Sequence, residues 1–153
     1  MDWLERRIPP PVVALAVAAA MWSVAGIGPQ GVLPPPVRYG AVGVVAAAGV
    51  AFDLLGLLAF RRAKTTVNPL RPEKASALVT EGVYRVTRNP MYVGLALLLL
   101  AWALHLSALL PLAGIVVFVL YITRFQIQPE ERVLTEIFGD EFSKYVARVR
   151  RWL

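Results

Sequence analysis

Long stretches of sequence without a single charge constrain this chain more than any other feature. No Asp, Glu, Lys or Arg occurs from Val12 to Gly28, from Val93 to Leu104, or from Leu106 to Thr123. In a chain of 153 residues that is 58% hydrophobic and only 17% charged, an ordinary soluble fold has too little polar sequence to cover such tracts. The expectation is an all-α, polytopic membrane protein. Arg6 and Arg7 ahead of the first tract resemble the start of a secretory signal. The intervening Pro9, Pro10 and Pro11 and the lack of a cleavage site instead favour a retained helix that opens on proline.

The tracts predict about four transmembrane helices, Pro11 to Ile27, Arg38 to Phe60, Tyr92 to Leu106 and Leu109 to Phe125, in one domain covering residues 1–153. The last two are short for a hydrocarbon core about 30 Å thick and are joined by the tight turn His105 to Pro111. Between the second and third lies a connector, 61–89, in which Pro69 and Pro72 discourage helix. Beyond the fourth, Pro129 to Leu153 is amphipathic: Leu134, Phe138, Phe142, Tyr145, Val149 and Trp152 recur at helical spacing, with Gly139 marking a bend. On this map every Lys and Arg except Arg38 falls on one side. The positive-inside rule then puts both termini in the cytoplasm, consistent with an even number of spans. The formal charge of +6 is explained by that orientation and not by nucleic acid, which has no recognition element here. Arginine-rich, lysine-poor composition points to a bacterial inner membrane.

With no cysteine and one histidine, disulfides, thiolate chemistry and a His-rich metal site are excluded. His105 falls in the far turn and reads as an interface residue. The polar residues of interest gather at the cytoplasmic boundary: Asn68, Tyr84, Arg85, Arg88, Asn89, Tyr92, Arg124, Gln128, Glu130 and Glu131. Singly, arginines there are explained by snorkelling and acids by the dipole of a helix start. The adjacent Glu130 and Glu131 are less easily dismissed, because neighbouring carboxylates repel unless a cation or hydroxyls engage them. Asp53 lies inside the second span, where an ionisable side chain is either a substrate contact or a paired packing element.

The stretch "GVYRVTRNPMYVG" (Gly82 to Gly94), a hydrophobic hairpin, and "PEERVLTEIFGDEFSKYVARVRRWL" (Pro129 to Leu153), in that order, resemble the isoprenylcysteine carboxyl methyltransferase and phospholipid methyltransferase superfamily. The likeness extends back through Thr65 to Val79. It implies S-adenosylmethionine as cofactor, bound outside any Rossmann fold at the cytoplasmic helix ends. The family's first motif commonly reads Arg-His-Pro-x-Tyr-x-Gly. Arg88, Pro90, Tyr92 and Gly94 match it, while Asn89 replaces the histidine and cannot shuttle protons.

Each matching residue then has an expected task. Glu130 or Glu131 would accept hydrogen bonds from the cofactor's ribose or ammonium, and Arg88 or the helix start at Pro90 would take its carboxylate. Tyr92 offers a ring and a hydroxyl, and Gly94 permits close approach. Arg124 would orient a carboxylate acceptor and Glu131 would act as base or positioning group. Asn68 and Asp53 are candidate substrate contacts. The resulting expectation is methyl transfer to a lipophilic small molecule or lipid at the cytoplasmic face, with carboxylate O-methylation slightly favoured. The alternatives are a nicotinamide-dependent membrane reductase of related fold and a non-catalytic membrane protein.

Overall fold

The computed structural model describes residues 5–31, 33–63 and 77–153. Asn68, with Pro69 and Pro72, lies outside the described residues. Helices α1 (Pro10–Val24), α2 (Pro35–Arg62), α3 (Pro90–Leu106), α4 (Leu112–Ile122) and α5 (Gln128–Arg148) form the molecule, with a single 3-10 turn at Gly82–Arg85 and no strand among the described residues. The first three open on proline, whose missing N–H is harmless in a first turn and whose fixed φ already suits the helix. A left-handed Ser107 (φ 54°) ends α3 and starts the expected turn into α4. The backbone N–H of Gly31 donates to the Ser107 carbonyl at 2.9 Å, which ties the α1–α2 link to that turn.

Helices α2 and α3 pack antiparallel along a seam of small residues. A Cβ on Gly49 would fall 2.9 Å from the Gly94 carbonyl oxygen, and one on Gly56 would fall 2.9 Å from the Met91 side chain. Contacts this close need glycine, because any side chain would hold the backbones apart. On the other side of α3, Trp102 Nε1 donates to the Ala18 carbonyl of α1 at 3.0 Å. Met21, Tyr92, Phe118, Ile122 and Ile127 fill the centre. Leu15, Trp22, Val44, Leu54, Val116 and Leu120 face outward, as suits a lipid surface and would be costly in water.

Two elements long and apolar enough to cross a membrane are found among the described residues: α2 and the continuous run Leu112–Arg148. Helices α1, at 15 residues, and α3, at 17, rise only about 23 to 26 Å. The fourth helix does not end at Phe125, the expected end of the span. The chain instead passes through a π-helical segment, Thr123–Ile127, directly into α5. Pro129 explains the wide turn: lacking an N–H, it cannot bond the Phe125 carbonyl one turn back, and its ring needs room. The orphaned Phe125 carbonyl accepts the backbone N–H of Arg6 at 3.0 Å, so the N-terminal segment completes the irregular turn. Gly139 (φ 48°, ψ −119°) bends α5 as expected, but helix stops at Arg148, Val149 is extended, and the chain beyond it is irregular.

Candidate functional site

The site begins where α3 begins. Thr87, with no exposed surface, accepts the Asn89 backbone N–H on its Oγ1 at 3.2 Å, which fixes the corner before Pro90. From that corner Arg88 reaches across to α5 and donates through Nη2 to Glu131 Oε1 at 2.7 Å. One helical turn on, the Tyr92 hydroxyl donates to Glu130 Oε1 at 2.7 Å. Both carboxylates of the adjacent pair are thus engaged, one mainly by cations and the other by neutral donors. Gln126, buried in the π-helical segment, adds a bond to Glu130 Oε1 at 2.6 Å. Glu131 also receives a bidentate clasp from Arg151, Nε at 3.1 Å and Nη2 at 2.6 Å.

The tail after α5 folds back over the same corner, held largely by its main chain. Arg88 Nη1 donates to the carbonyls of Val149 (2.5 Å) and Val146 (3.3 Å). The Arg88 N–H donates to the Arg150 carbonyl at 2.9 Å, and Asn89 Nδ2 donates to the Arg151 carbonyl at 2.9 Å. Thr87 Oγ1 reaches that same Arg151 carbonyl at 3.2 Å. Trp152 Nε1 closes the loop onto Thr123 Oγ1 at 3.1 Å. Nearby, the Tyr145 hydroxyl donates to the Tyr84 carbonyl at 2.7 Å, and burial pushes both phenols above their ordinary range.

The two glutamates differ electrostatically. Crowding by protein atoms raises the Glu130 carboxyl to about 7, against the lowering effect of its bonds from Tyr92 and Gln126. Burial also acts to raise Glu131, but hydrogen bonds and charge from Arg151 and Arg88 outweigh it and hold that carboxyl below its ordinary value. Arg88 Nε is buried with no hydrogen-bond partner. A buried donor left unmet is expensive, so an acceptor brought to this nitrogen would be stabilising.

Arg88, Asn89, Pro90, Tyr92, Glu130 and Glu131 therefore converge. Arg124 does not join them. Its guanidinium pairs with Glu5 at 2.8 Å, and Glu5 is bridged from its other oxygen by Arg132. The Arg124 hydrogen bond is the largest influence lowering the Glu5 carboxyl. Gly94 lies in the seam with α2: a Cβ there would stand 2.3 Å from Asp53 Oδ1 and 2.8 Å from the Gly49 carbonyl oxygen. The close approach that Gly94 allows here is between helices. Asp53 meets Gly94, two residues and roughly half a turn around α3 from Tyr92, and so faces away from the glutamates. Sequence reasoning overlooked Thr87, Gln126 and Arg151. Gln126 could have been found from its i, i+4 spacing to Glu130, which puts the two on one helix face, whereas Arg151 is one basic residue of a basic cluster.

A family model described as "Phospholipid methyltransferase" matches residues 37–141. A Haemophilus influenzae protein described as "Uncharacterized protein" is 49% identical over 63 residues, which is 41% of this chain and all of that protein. "Protein-S-isoprenylcysteine O-methyltransferase B" of Arabidopsis thaliana is 34% identical over 93 residues, 58% of this chain and 45% of the plant protein. A "Probable protein-S-isoprenylcysteine O-methyltransferase" of Oryza sativa subsp. indica is 34% identical over 110 residues, 69% of this chain and 55% of the rice protein. The chain thus spans about half the length of these plant relatives. No solved structure matches it. The match across residues 37–141 takes in α2, α3, α4 and the paired glutamates, and on it the chain belongs to the phospholipid methyltransferase family.

Proposed function

We propose that the protein transfers a methyl group from S-adenosylmethionine to a lipophilic acceptor at the cytoplasmic membrane boundary, with a carboxylate oxygen as the favoured acceptor atom. One observation carries the reading: Glu130 and Glu131 meet Tyr92 and Arg88 at 2.7 Å each, which makes a polar cup at the end of an apolar bundle. In the proposed topology α1, α2, α3 and the part of the long helix up to Phe125 cross the bilayer, with both termini cytoplasmic. The one-sided distribution of arginine and lysine supports this orientation.

The cofactor supplies an electrophilic methyl group on a positively charged sulfur. The donor set of the cup suits it: the unmet Arg88 Nε can take a carboxylate, and Glu131 can accept from an ammonium or a ribose diol. Tyr92 and Glu130 share a proton-bearing hydrogen bond beneath them. Displacement at a methyl group needs alignment and exclusion of water more than acid or base help, and holding two reactants in line is worth about 7 to 11 kcal/mol. A carboxylate acceptor arrives deprotonated and needs no base. For an amine or thiol acceptor, Glu130 suits the base role better than Glu131, because its carboxyl titrates near neutrality while Glu131 is committed to two arginines.

The test is calorimetric titration of the purified protein with S-adenosylhomocysteine and, separately, NADPH. Binding of the first with no response to the second is expected, and Arg88→Ala and Glu131→Gln should each abolish it. NADPH binding without S-adenosylhomocysteine binding would replace this reading with the reductase. Labelled methyl transfer to prenyl-cysteine, compared with phosphatidylethanolamine, then separates oxygen from nitrogen acceptors.

A further inference from the structure

The far end of the bundle carries a second polar cluster that the methyl-transfer reading leaves unused. Gly56 of α2 meets Pro90 and Met91 at the start of α3, near the cup. Arg38 lies eighteen residues earlier on α2, about 27 Å away along the helix. Its guanidinium stacks over the Tyr39 ring at 4.6 Å and donates through Nη2 to the Tyr39 hydroxyl at 2.8 Å. Tyr39 in turn lies 6.5 Å from the His105 ring, and His105 stacks on Trp102 at 5.4 Å with an interplanar angle of 14°. The four side chains thus line one corner, where the opening of α2 meets the end of α3.

Arg38 is a cation without a counter-charge. Among the described residues no carboxylate pairs with it, and its Nε is buried with no acceptor. Stacking on tyrosine steadies the guanidinium plane but leaves its charge uncompensated, and a desolvated donor without a partner is unfavourable. At a membrane boundary, the anion that meets a flat array of N–H donors is phosphate.

We propose that Arg38, flanked by Tyr39, His105 and Trp102, seats the phosphate of a phospholipid headgroup in the leaflet opposite the cup. Arg38 supplies the charge-assisted hydrogen bonds, and the aromatic side chains form the apolar shoulders against the glycerol. The proposal rests on the membrane-spanning arrangement given above and not on methyl transfer.

Native mass spectrometry of the detergent-purified protein, titrated with phosphatidylglycerol, tests it, with diacylglycerol as the phosphate-free lipid and inorganic phosphate as the soluble source. The first phosphatidylglycerol should bind the wild type at least about tenfold more tightly than Arg38→Gln, the scale of one charged hydrogen bond. Diacylglycerol should not discriminate between the two proteins. His105→Ala should weaken binding less, and Arg38→Lys should fall between the wild type and Arg38→Gln. An unchanged melting temperature in Arg38→Gln would show that the fold is intact. Equal phosphatidylglycerol binding by the wild type and Arg38→Gln overturns the proposal. Binding of inorganic phosphate alone, lost in Arg38→Gln, with no preference for the phospholipid, replaces the lipid source with a soluble one.

Discussion

Glu130→Gln should make the protein more resistant to heat at alkaline pH and leave it unchanged in acid. Burial raises the Glu130 carboxyl from its ordinary 4.5 to about 7, so between those values the folded protein holds a proton that the unfolded chain releases. Stability contributed by this group is therefore fully present below about pH 4.5 and is lost as pH rises through about 7. At 1.36 kcal/mol per pH unit the swing is about 3 kcal/mol. For a chain of this length that corresponds to a melting shift of roughly 6 to 12 °C. Glutamine cannot ionise, yet its amide oxygen can still accept the Tyr92 hydroxyl. Melting temperatures of the wild type and Glu130→Gln, measured in one detergent from pH 4 to 9, should coincide at the acid end. They should then diverge through the neutral range, with the variant higher, and run parallel above about pH 8. Parallel curves across the whole range would refute a buried carboxyl that titrates near neutrality.

Arg88→Ala leaves Glu131 with one arginine and the Val149 and Val146 carbonyls without a donor, and should destabilise by about 2 to 4 kcal/mol in chemical denaturation. Gly94→Ala drives a methyl group into Asp53 and the Gly49 carbonyl, at a cost of about 1 to 3 kcal/mol. Adding Asp53→Ala should recover only part of this in the same assay, because the clash with the Gly49 backbone remains. Asn89→Ala removes one bond to the tail, should cost about 1 kcal/mol, and should speed hydrogen exchange at the Arg88 amide, which donates to Arg150.

The helical class, the hairpin at Ser107 and the bend at Gly139 were legible because each has a local cause: apolar length, a turn, a glycine. The need for partners at Glu130 and Glu131 was legible too, since adjacent carboxylates demand them. Which partners they take was legible only in part. Glu131 is reached by Arg151, whose place in a basic cluster gives no hint of its aim. Glu130 is reached by Gln126, four residues earlier and on the same helix face, a spacing that is visible in the sequence. Arg124 sits a turn from the glutamates in sequence, yet its partner Glu5 lies near the other end of the chain. Gly94 matched a motif whose spacing cannot say whether the vacant space serves a ligand or a neighbouring helix.

The tail that closes over the cup is gripped chiefly through peptide carbonyls, those of Val149, Arg150 and Arg151. A ladder of peptide groups is indifferent to the letters written on it but strict about spacing. Substitutions at Val149 and Arg150 should pass almost unnoticed, whereas inserting one residue between Arg148 and Val149 would put the rungs out of step with Thr87, Arg88 and Asn89 together. Homologous chains should therefore vary freely in spelling at Val149 and Arg150 while keeping the length of the stretch and Arg151, whose side chain holds Glu131.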